Sequence, residues 1–545
     1  MHSIKQRVTE INRSKTKLCQ LKVSVAGVEA ITEPVINTVG SEVISEDTGL
    51  WQVKELSSVN EEADHDDYLQ IYSAEEVASV FCLPVPGNEG INGIPLTYPY
   101  LPPNLSSAGA VLGFRKTVRG KETIRIAESD RDKHLYLLGQ TGTGKTTLLY
   151  SMAMSDIREG RGVCVIDPHD DLHERLIARI PESRLDDVIL FDPTDYEYPV
   201  GLNLLEGETE KEKSFLANEL IQILRKVYDP HNSGFTGPIF EQAVRNAALT
   251  AMALPDGGTV VDVPVLLTQK GFTKGILEHI EDERIKTYWK EIWFKQGMNY
   301  GELLAYITSK FDNIHTDPIM RRVMGQTKST FNFRQVMDEG KILLVNLSKG
   351  GLGELNSYLL GSILVVKLFT AALSRYDLPA EKRKPYCLYI DEFQNFTTDT
   401  VQSMLSEARK YRLALVLAHQ NLKQLSEMTR QSVLGNVGSL VFFRPGAQDA
   451  HFVQEYLKPY FFEKDLIDMP NWSAVGRLMI NATPSRPFVF QVDRDRTKED
   501  RAVVKYVRDR SRSLYARSSI TVEKEIIKRH SLNNCEEDDD SSILS

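Results

Sequence analysis

The segment Gly139-Gln140-Thr141-Gly142-Thr143-Gly144-Lys145-Thr146 limits the fold of this chain more than any other feature. It spells G-x-x-x-x-G-K-[ST], with the apolar run His134–Leu138 before it and a helical pattern, Thr146–Arg158, after it. A strand that feeds a glycine-rich turn opening a helix aims successive backbone N–H groups at phosphate oxygens and adds the helix's partial positive charge. A glycine-rich turn that merely contains a lysine is the competing reading, and the flanking strand and helix argue against it. The candidate nucleotide-binding set is therefore Gly139, Gln140, Thr141, Gly142, Thr143, Gly144, Lys145, Thr146 and Thr147. Lys145 would reach the β- and γ-phosphates, and the Thr146 hydroxyl would hold Mg²⁺.

Further short apolar runs stand at Gly162–Asp167, Val188–Phe191, Ile342–Leu347, Cys387–Asp391, Leu413–Ala418 and Ser439–Phe443. Several are apolar almost without interruption, as parallel strands covered on both faces must be. Helical periodicity between them, as in Asp399–Tyr411, predicts a doubly wound α/β domain with a mostly parallel sheet. Residues 207–335 break the alternation: Lys213–Val227, Pro238–Ala253, Thr273–Phe294 and Tyr300–Phe311 read as helices, and no strand is predicted. The expected division is an appendage and Pro-rich connector (1–107), an α/β core (108–206 and 336–496), an inserted all-α domain (207–335), and a charged helix with an acidic tail (497–545).

With 41% hydrophobic and 26% charged residues over 545 positions, the chain can bury large cores, which excludes disorder as its main state. The net charge of −10 gives no global basic excess, so any nucleic-acid contact must be local. Charge is segregated at the ends: residues 1–22 are basic, Glu42–Asp67 acidic, and Glu536–Asp540 acidic again, which predicts solvated tails. The five cysteines form no Cys-x-x-Cys pair, and Cys164 and Cys387 lie in strand-like runs, which argues for a reducing compartment without disulfides or structural zinc. The longest apolar stretch, Tyr358–Leu373, contains Lys367 and reads as a buried helix rather than a membrane span. A chain without a span of its own, in the cytoplasm or recruited to a membrane by a partner, is expected.

A phosphate loop needs a carboxylate on a neighbouring strand. Tyr386–Ile390 ends in Asp391-Glu392: Asp391 would hold Mg²⁺, and Glu392 would orient and polarise an attacking water. Gln420 follows another apolar run, where the ligand crevice of such a sheet opens, and would sense the γ-phosphate or position water. Arg409 ends a predicted helix; it serves either as a cation that neutralises charge on a transferring phosphoryl group or as a complement to the helix dipole.

These residues resemble the HerA–FtsK superfamily of P-loop ATPases, and within it the conjugative coupling-protein and type IV secretion branch (TraG/TraD-like). The resemblance rests on Gly139–Thr146, Val165-Ile166-Asp167-Pro168-His169-Asp170-Asp171-Leu172, Phe191-Asp192-Pro193, Asn203-Leu204-Leu205, Asp391-Glu392-Phe393-Gln394-Asn395-Phe396, Ala418-His419-Gln420 and Phe443-Arg444-Pro445-Gly446. It implies a RecA-like core, ATP and Mg²⁺ as ligands, and a homohexameric ring driving DNA through its pore. It also implies a catalytic pair in Asp391 and Glu392, a sensor in Gln420, and in Arg409 a finger inserted by a neighbouring subunit; Arg444 is a second arginine candidate. Asp170 stands where the family pattern has Gly, and the family's paired membrane helices have no counterpart.

The leading expectation is an ATP-hydrolysing DNA translocase. The alternatives are a type IV secretion motor for protein substrates and the ATPase of a nuclease-containing defence complex. A nuclease, a relaxase or a secretion pore would be its partner. Lys349, Lys310, Arg321 and Arg322 are candidate DNA contacts, each of which also reads as an ordinary surface cation.

Overall fold

The apolar runs pair as the core of one large sheet. In a computed structural model, residues 101–117, 120–230, 233–295, 300–396, 399–495 and 499–531 are described, together with the strand pair Leu18–Cys19 and Tyr72–Ser73. The chain divides into two units, Met1–Thr97 and Tyr98–Ser545; in the first, those two short strands pair antiparallel. Apart from that pair, the charge-segregated N-terminal arm lies outside the described residues, as does the acidic terminus.

The second unit carries β1 (Ala110–Thr117), β2 (Gly120–Ile126), β3 (Leu135–Leu138), β4 (Gly162–Asp167), β5 (Val188–Phe191), β6 (Ile342–Asn346), β7 (Tyr386–Ile390), β8 (Leu413–His419), β9 (Ser439–Phe442), β10 (Ser473–Arg477) and β11 (Phe488–Gln491). They form an 11-stranded sheet in the order β2-β1-β11-β10-β9-β3-β8-β7-β4-β6-β5. From β9 to β5 every neighbouring pair is parallel; β10, β11, β1 and β2 extend the sheet antiparallel. The fold is α/β, and every strand predicted from an apolar run belongs to the parallel part.

Strand alternation divides the core in two. Leu135 and Leu137 of β3 and Val163 and Val165 of β4 pack with Leu148, Met152 and Ala153 of helix α1 (Lys145–Arg158) on one face. Tyr136, Leu138, Cys164 and Ile166 face the other way, toward helix α2 (Glu354–Ser374) and the helices inserted between β5 and β6. At about 1.5–3 kcal/mol for each large apolar side chain removed from water, these two layers dominate the stability of the unit. Among the described residues α2 is long and apolar enough to cross a membrane, but 72% of its apolar window is buried here. Lys367 is tolerated inside it because its ammonium lies 3.0 Å from the Glu206 carboxylate.

The described residues between 207 and 335 hold helices and no strand. Glu210–Tyr228 starts at a capping box, in which the Glu212 N–H donates to Thr209 Oγ1 and the Glu212 carboxylate accepts from the Thr209 N–H. The run expected as one helix, Thr273–Phe294, is broken into Lys270–Leu277, Glu283–Thr287 and Tyr288–Trp293. Asp282 starts a new turn there by accepting from the Arg284 N–H.

Helix α3 (Asp399–Glu407) continues as a tighter turn, Ala408–Tyr411, and leads into β8. Past the sheet, α4 (Arg501–Tyr515) and α5 (Ser519–Ser531) lie against the body: Val507, Ser511, Val522 and Ile526 are buried, and Arg529 pairs with Asp262 in the insertion. Glu523 of α5 receives both Arg321 and Arg322, so these two candidate DNA contacts are ion-pair partners of the C-terminal helix.

Candidate nucleotide site

The turn after β3 is fixed by the ends of the strands on either side. Gly139 N–H donates to the His419 carbonyl at 3.3 Å, and Gln140 N–H to the Arg444 carbonyl at 2.9 Å. Gly142 and Gly144 have φ of 77° and 126°, which side-chain-bearing residues rarely adopt. A Cβ on Gly139 would also stand 2.6 Å from that of Phe443, so glycine is required there by contact. The result is a tight backbone curl at the start of α1, the geometry that receives a phosphate chain.

Lys145 is 5% exposed, and its Nζ donates to the Gly139 carbonyl at 2.7 Å and the Gln140 carbonyl at 3.2 Å. Burial lowers its pKa, opposed by Asp391 and Glu392. Thr146 Oγ1 donates to Asp391 Oδ2 at 2.9 Å, joining residues far apart in sequence. Asp391 is 3% exposed; burial first, and then the Glu392 charge, push its pKa up to about 6, with Thr146 pulling the other way. A carboxylate that pays this desolvation cost beside a threonine hydroxyl and an ammonium is suited to a divalent cation.

Glu392 sits at φ 49° and is 5% exposed. One of its carboxylate oxygens accepts from the Gln420 amide, the other from Gln394 Nε2 at 2.6 Å. Gln420 Oε1 in turn accepts from Thr141 Oγ1 at 3.0 Å, so Gln420 bridges the phosphate loop and the carboxylate. Thr147 lies half-buried on the first turn of α1. The structure thus brings together Gly139–Thr147, Asp391, Glu392 and Gln420. Gln394 went unassigned in the sequence, where it was visible only as a letter of the Asp391–Phe396 motif.

Arg409 is not part of this cluster. It is exposed on the turn before β8, whereas Gln420 follows the same strand's far end. The seven residues of β8, at about 3.3 Å each, put roughly 20 Å between them. Among the described residues no hydrogen bond or ion pair reaches the Arg409 side chain, although two other arginines hold the backbone of its turn. Buried Arg375 donates to the Tyr411 carbonyl at 2.9 Å, and Arg383 to the Lys410 carbonyl at 2.5 Å. Arg444, by contrast, follows β9 at the loop's own edge, and its carbonyl holds Gln140.

The remaining sequence candidates have structural partners. Asp167 accepts from the N–H groups of His169, Leu172 and His173 and so folds the turn after β4. Asp170 has φ 71°, which explains why glycine suits that position and aspartate is tolerated there. Lys349, expected on a flexible loop, opens the short helix Lys349–Leu352 and lies 3.2 Å from Glu354 Oε1. Lys310 lies over the Tyr306 and Tyr228 rings.

Residues 385–457, which hold Asp391, Glu392, Arg409, Gln420 and Arg444, match the family model described as the TraM recognition site of TraD and TraG. Among curated proteins the sequence finds no match. Solved structures align over most of the chain. The plasmid coupling protein TrwB in complex with ADP and Mg²⁺ matches at 17% identity and a TM-score of 0.53, covering 73% of this chain and 93% of that one. TrwB with the GTP analogue GDPNP gives 16% and 0.52, covering 73% and 92%. VirB4 of Thermoanaerobacter pseudethanolicus gives 13% and 0.50, covering 72% and 98%. At these identities the likeness is one of fold, and it spans nearly the full length of the matched chains. The chain thus shares its α/β, RecA-like fold with these plasmid coupling-protein structures and with VirB4.

Proposed function

We propose that this chain is an ATP-driven DNA translocase of the coupling-protein kind, acting as a homohexameric ring. The observation that carries the reading is the separation of the clustered loop, Asp391, Glu392 and Gln420 from Arg409, which stands free at the other end of β8. A site with its loop and acids assembled and Arg409 at the far end of β8 favours completion by a neighbouring subunit's Arg409, and a ring supplies one at every interface.

The residues fit Mg²⁺ and ATP: glycines with positive φ curl the amides, Lys145 is held within the loop, and Thr146 and Asp391 already face each other. Mg²⁺, when bound, would screen the phosphate charge. Lys145 would leave the loop carbonyls for the β- and γ-phosphates. Glu392, held at both oxygens by Gln420 and Gln394, would orient water and take its proton. Gln420 would report the γ-phosphate to the loop through Thr141. Arg409 of one subunit would neutralise charge growing on the phosphoryl group held next door.

TrwB being a plasmid coupling protein supports DNA as the moved substrate, and a match to a TraM recognition site supports an accessory partner of the same transfer machinery, with a relaxase or secretion pore downstream. The likeness to VirB4 favours a second reading, a type IV secretion motor for protein substrates. ATP turnover measured against DNA and salt separates them. The translocase reading expects DNA to stimulate turnover, with stimulation falling steeply between low and physiological salt and absent in Lys145→Ala. Turnover that is present but indifferent to DNA at every salt concentration hands the case to the protein motor.

A further inference from the structure

We infer that Trp472 and Arg494 form the seat for the nucleobase, a π-stacking subsite that takes either purine; this rests on the nucleotide-binding reading above. Trp472 is bound to the phosphate loop by its backbone, its N–H donating to the Thr143 carbonyl at 2.7 Å, while its own carbonyl accepts from Val492 N–H at 2.8 Å. Held between the two, the residue adopts φ 63°, costly for a bulky side chain and sustained only where the surroundings enforce it. Its Cα lies 3.2 Å from where a Cβ on Gly144 would be. The half-buried indole is thereby fixed at the edge of the loop, on the β9–β10 side of the sheet.

The guanidinium of Arg494 lies over this ring, 3.0 Å from its centroid, and the Arg494 side chain is exposed. Its neighbours anchor it. Asp493 pairs with Lys121 at 2.6 Å, and Asp495 accepts from the Tyr150 hydroxyl on α1 at 2.6 Å. The segment that carries Arg494 is therefore tied to both β2 and the helix that follows the phosphate loop. A planar cation on an indole face occupies the position that a planar base would take. Purine stacks in its place, and the long exposed arginine closes over the outer face. Stacking of this kind reads the π face rather than the base's edges, so adenine and guanine bind alike and a smaller pyrimidine binds less well.

The test compares ATP, GTP and CTP with inorganic tripolyphosphate, which has no base, by equilibrium titration on the full chain. Trp472→Ala should weaken ATP and GTP about tenfold or more while leaving tripolyphosphate within about twofold. Arg494→Ala should weaken the purine nucleotides by about threefold. Trp472→Phe, which keeps an aromatic face, should retain most of the affinity but, in a Trp51→Phe background, lose the nucleotide-induced change in tryptophan emission, since Trp289 and Trp293, the other described tryptophans, are fully buried elsewhere. Equal losses for ATP and tripolyphosphate in Trp472→Ala would overturn the base seat, as would an unchanged emission signal in Trp472→Phe. Lys145→Ala separates the two levels: it should weaken every probe, tripolyphosphate included. If it weakens none, the phosphate-loop reading itself fails.

Discussion

The two ends of β8 differ in how their polar groups are used. At the Gln420 end the polar side chains engage one another: Thr146 with Asp391, Glu392 with Gln394 and Gln420, Gln420 with Thr141, and Lys145 with the loop carbonyls. At the Arg409 end a guanidinium stands exposed on a turn that two other arginines clamp through the Tyr411 and Lys410 carbonyls. One end is assembled into a cluster; the other displays a single cation on a turn held by hydrogen bonds to its backbone. A cation displayed roughly 20 Å from its own chain's phosphate loop is the placement that the proposed ring, with its finger supplied by a neighbouring subunit, requires.

Substitutions at the assembled end should have the largest effects. Lys145→Ala and Glu392→Gln should each lower ATP turnover by about a thousandfold or more, Lys145→Ala through nucleotide affinity and Glu392→Gln with affinity kept. Equal affinity losses in both would blur the assignment of Glu392 to the chemical step. At the other end, Arg409→Ala should cost about a hundred- to a thousandfold in turnover, with nucleotide binding by the isolated subunit unchanged. Loss of binding in that subunit would place Arg409 in its own site and remove the contrast. Gln420→Ala should cost about ten- to a hundredfold, since it frees one Glu392 oxygen and uncouples Thr141. Smallest is Arg375→Met, which releases the mount of Arg409: turnover should drop by about three- to tenfold, and binding to a lone subunit should not change.

Asp391 provides a pH test confined to the assembled end. Its folded pKa of about 6 lies above the unfolded value of about 3.9, so the ionised group destabilises the ligand-free fold. That cost is fully present above pH 6 and disappears as pH falls toward 4. Asp391→Asn should therefore stabilise the ligand-free protein by about 1–3 kcal/mol at pH 8 and by little at pH 4, while abolishing Mg²⁺-dependent nucleotide binding. Wild-type Mg²⁺-nucleotide affinity should weaken below pH 6, where a proton competes for the same oxygen. Denaturant melts of the two proteins across pH check the first expectation, and titration calorimetry the second.

The parallel half of the sheet was legible because strands covered on both faces must be apolar throughout. Gly162–Asp167 and Val188–Phe191 were read to the residue, and the others to within one or two. The antiparallel wing escaped notice: β2, Gly-Lys-Glu-Thr-Ile-Arg-Ile, is exposed over its first four residues and carries no continuous apolar run. Periodicity alone would have run one helix through the break after Leu277, where Asp282 starts a new turn. At the site, the loop and the Asp391-Glu392 pair declare themselves as local patterns with a fixed chemistry. Gln394 does not, because a glutamine two residues beyond a carboxylate has no signature. Trp472 and Arg494 meet only because β10 and β11 pair, and sequence distance hides such contacts.

A site shared between subunits is tested most directly by mixing two inactive variants. Arg409→Ala subunits keep intact acids, and Glu392→Gln subunits keep the finger, so an interface with one of each in the right order is complete. ATP turnover across mixing ratios should rise from near zero at either pure variant to a maximum at intermediate composition. A flat line at the level of the pure variants, with both proteins folded and able to bind ATP, would contradict it.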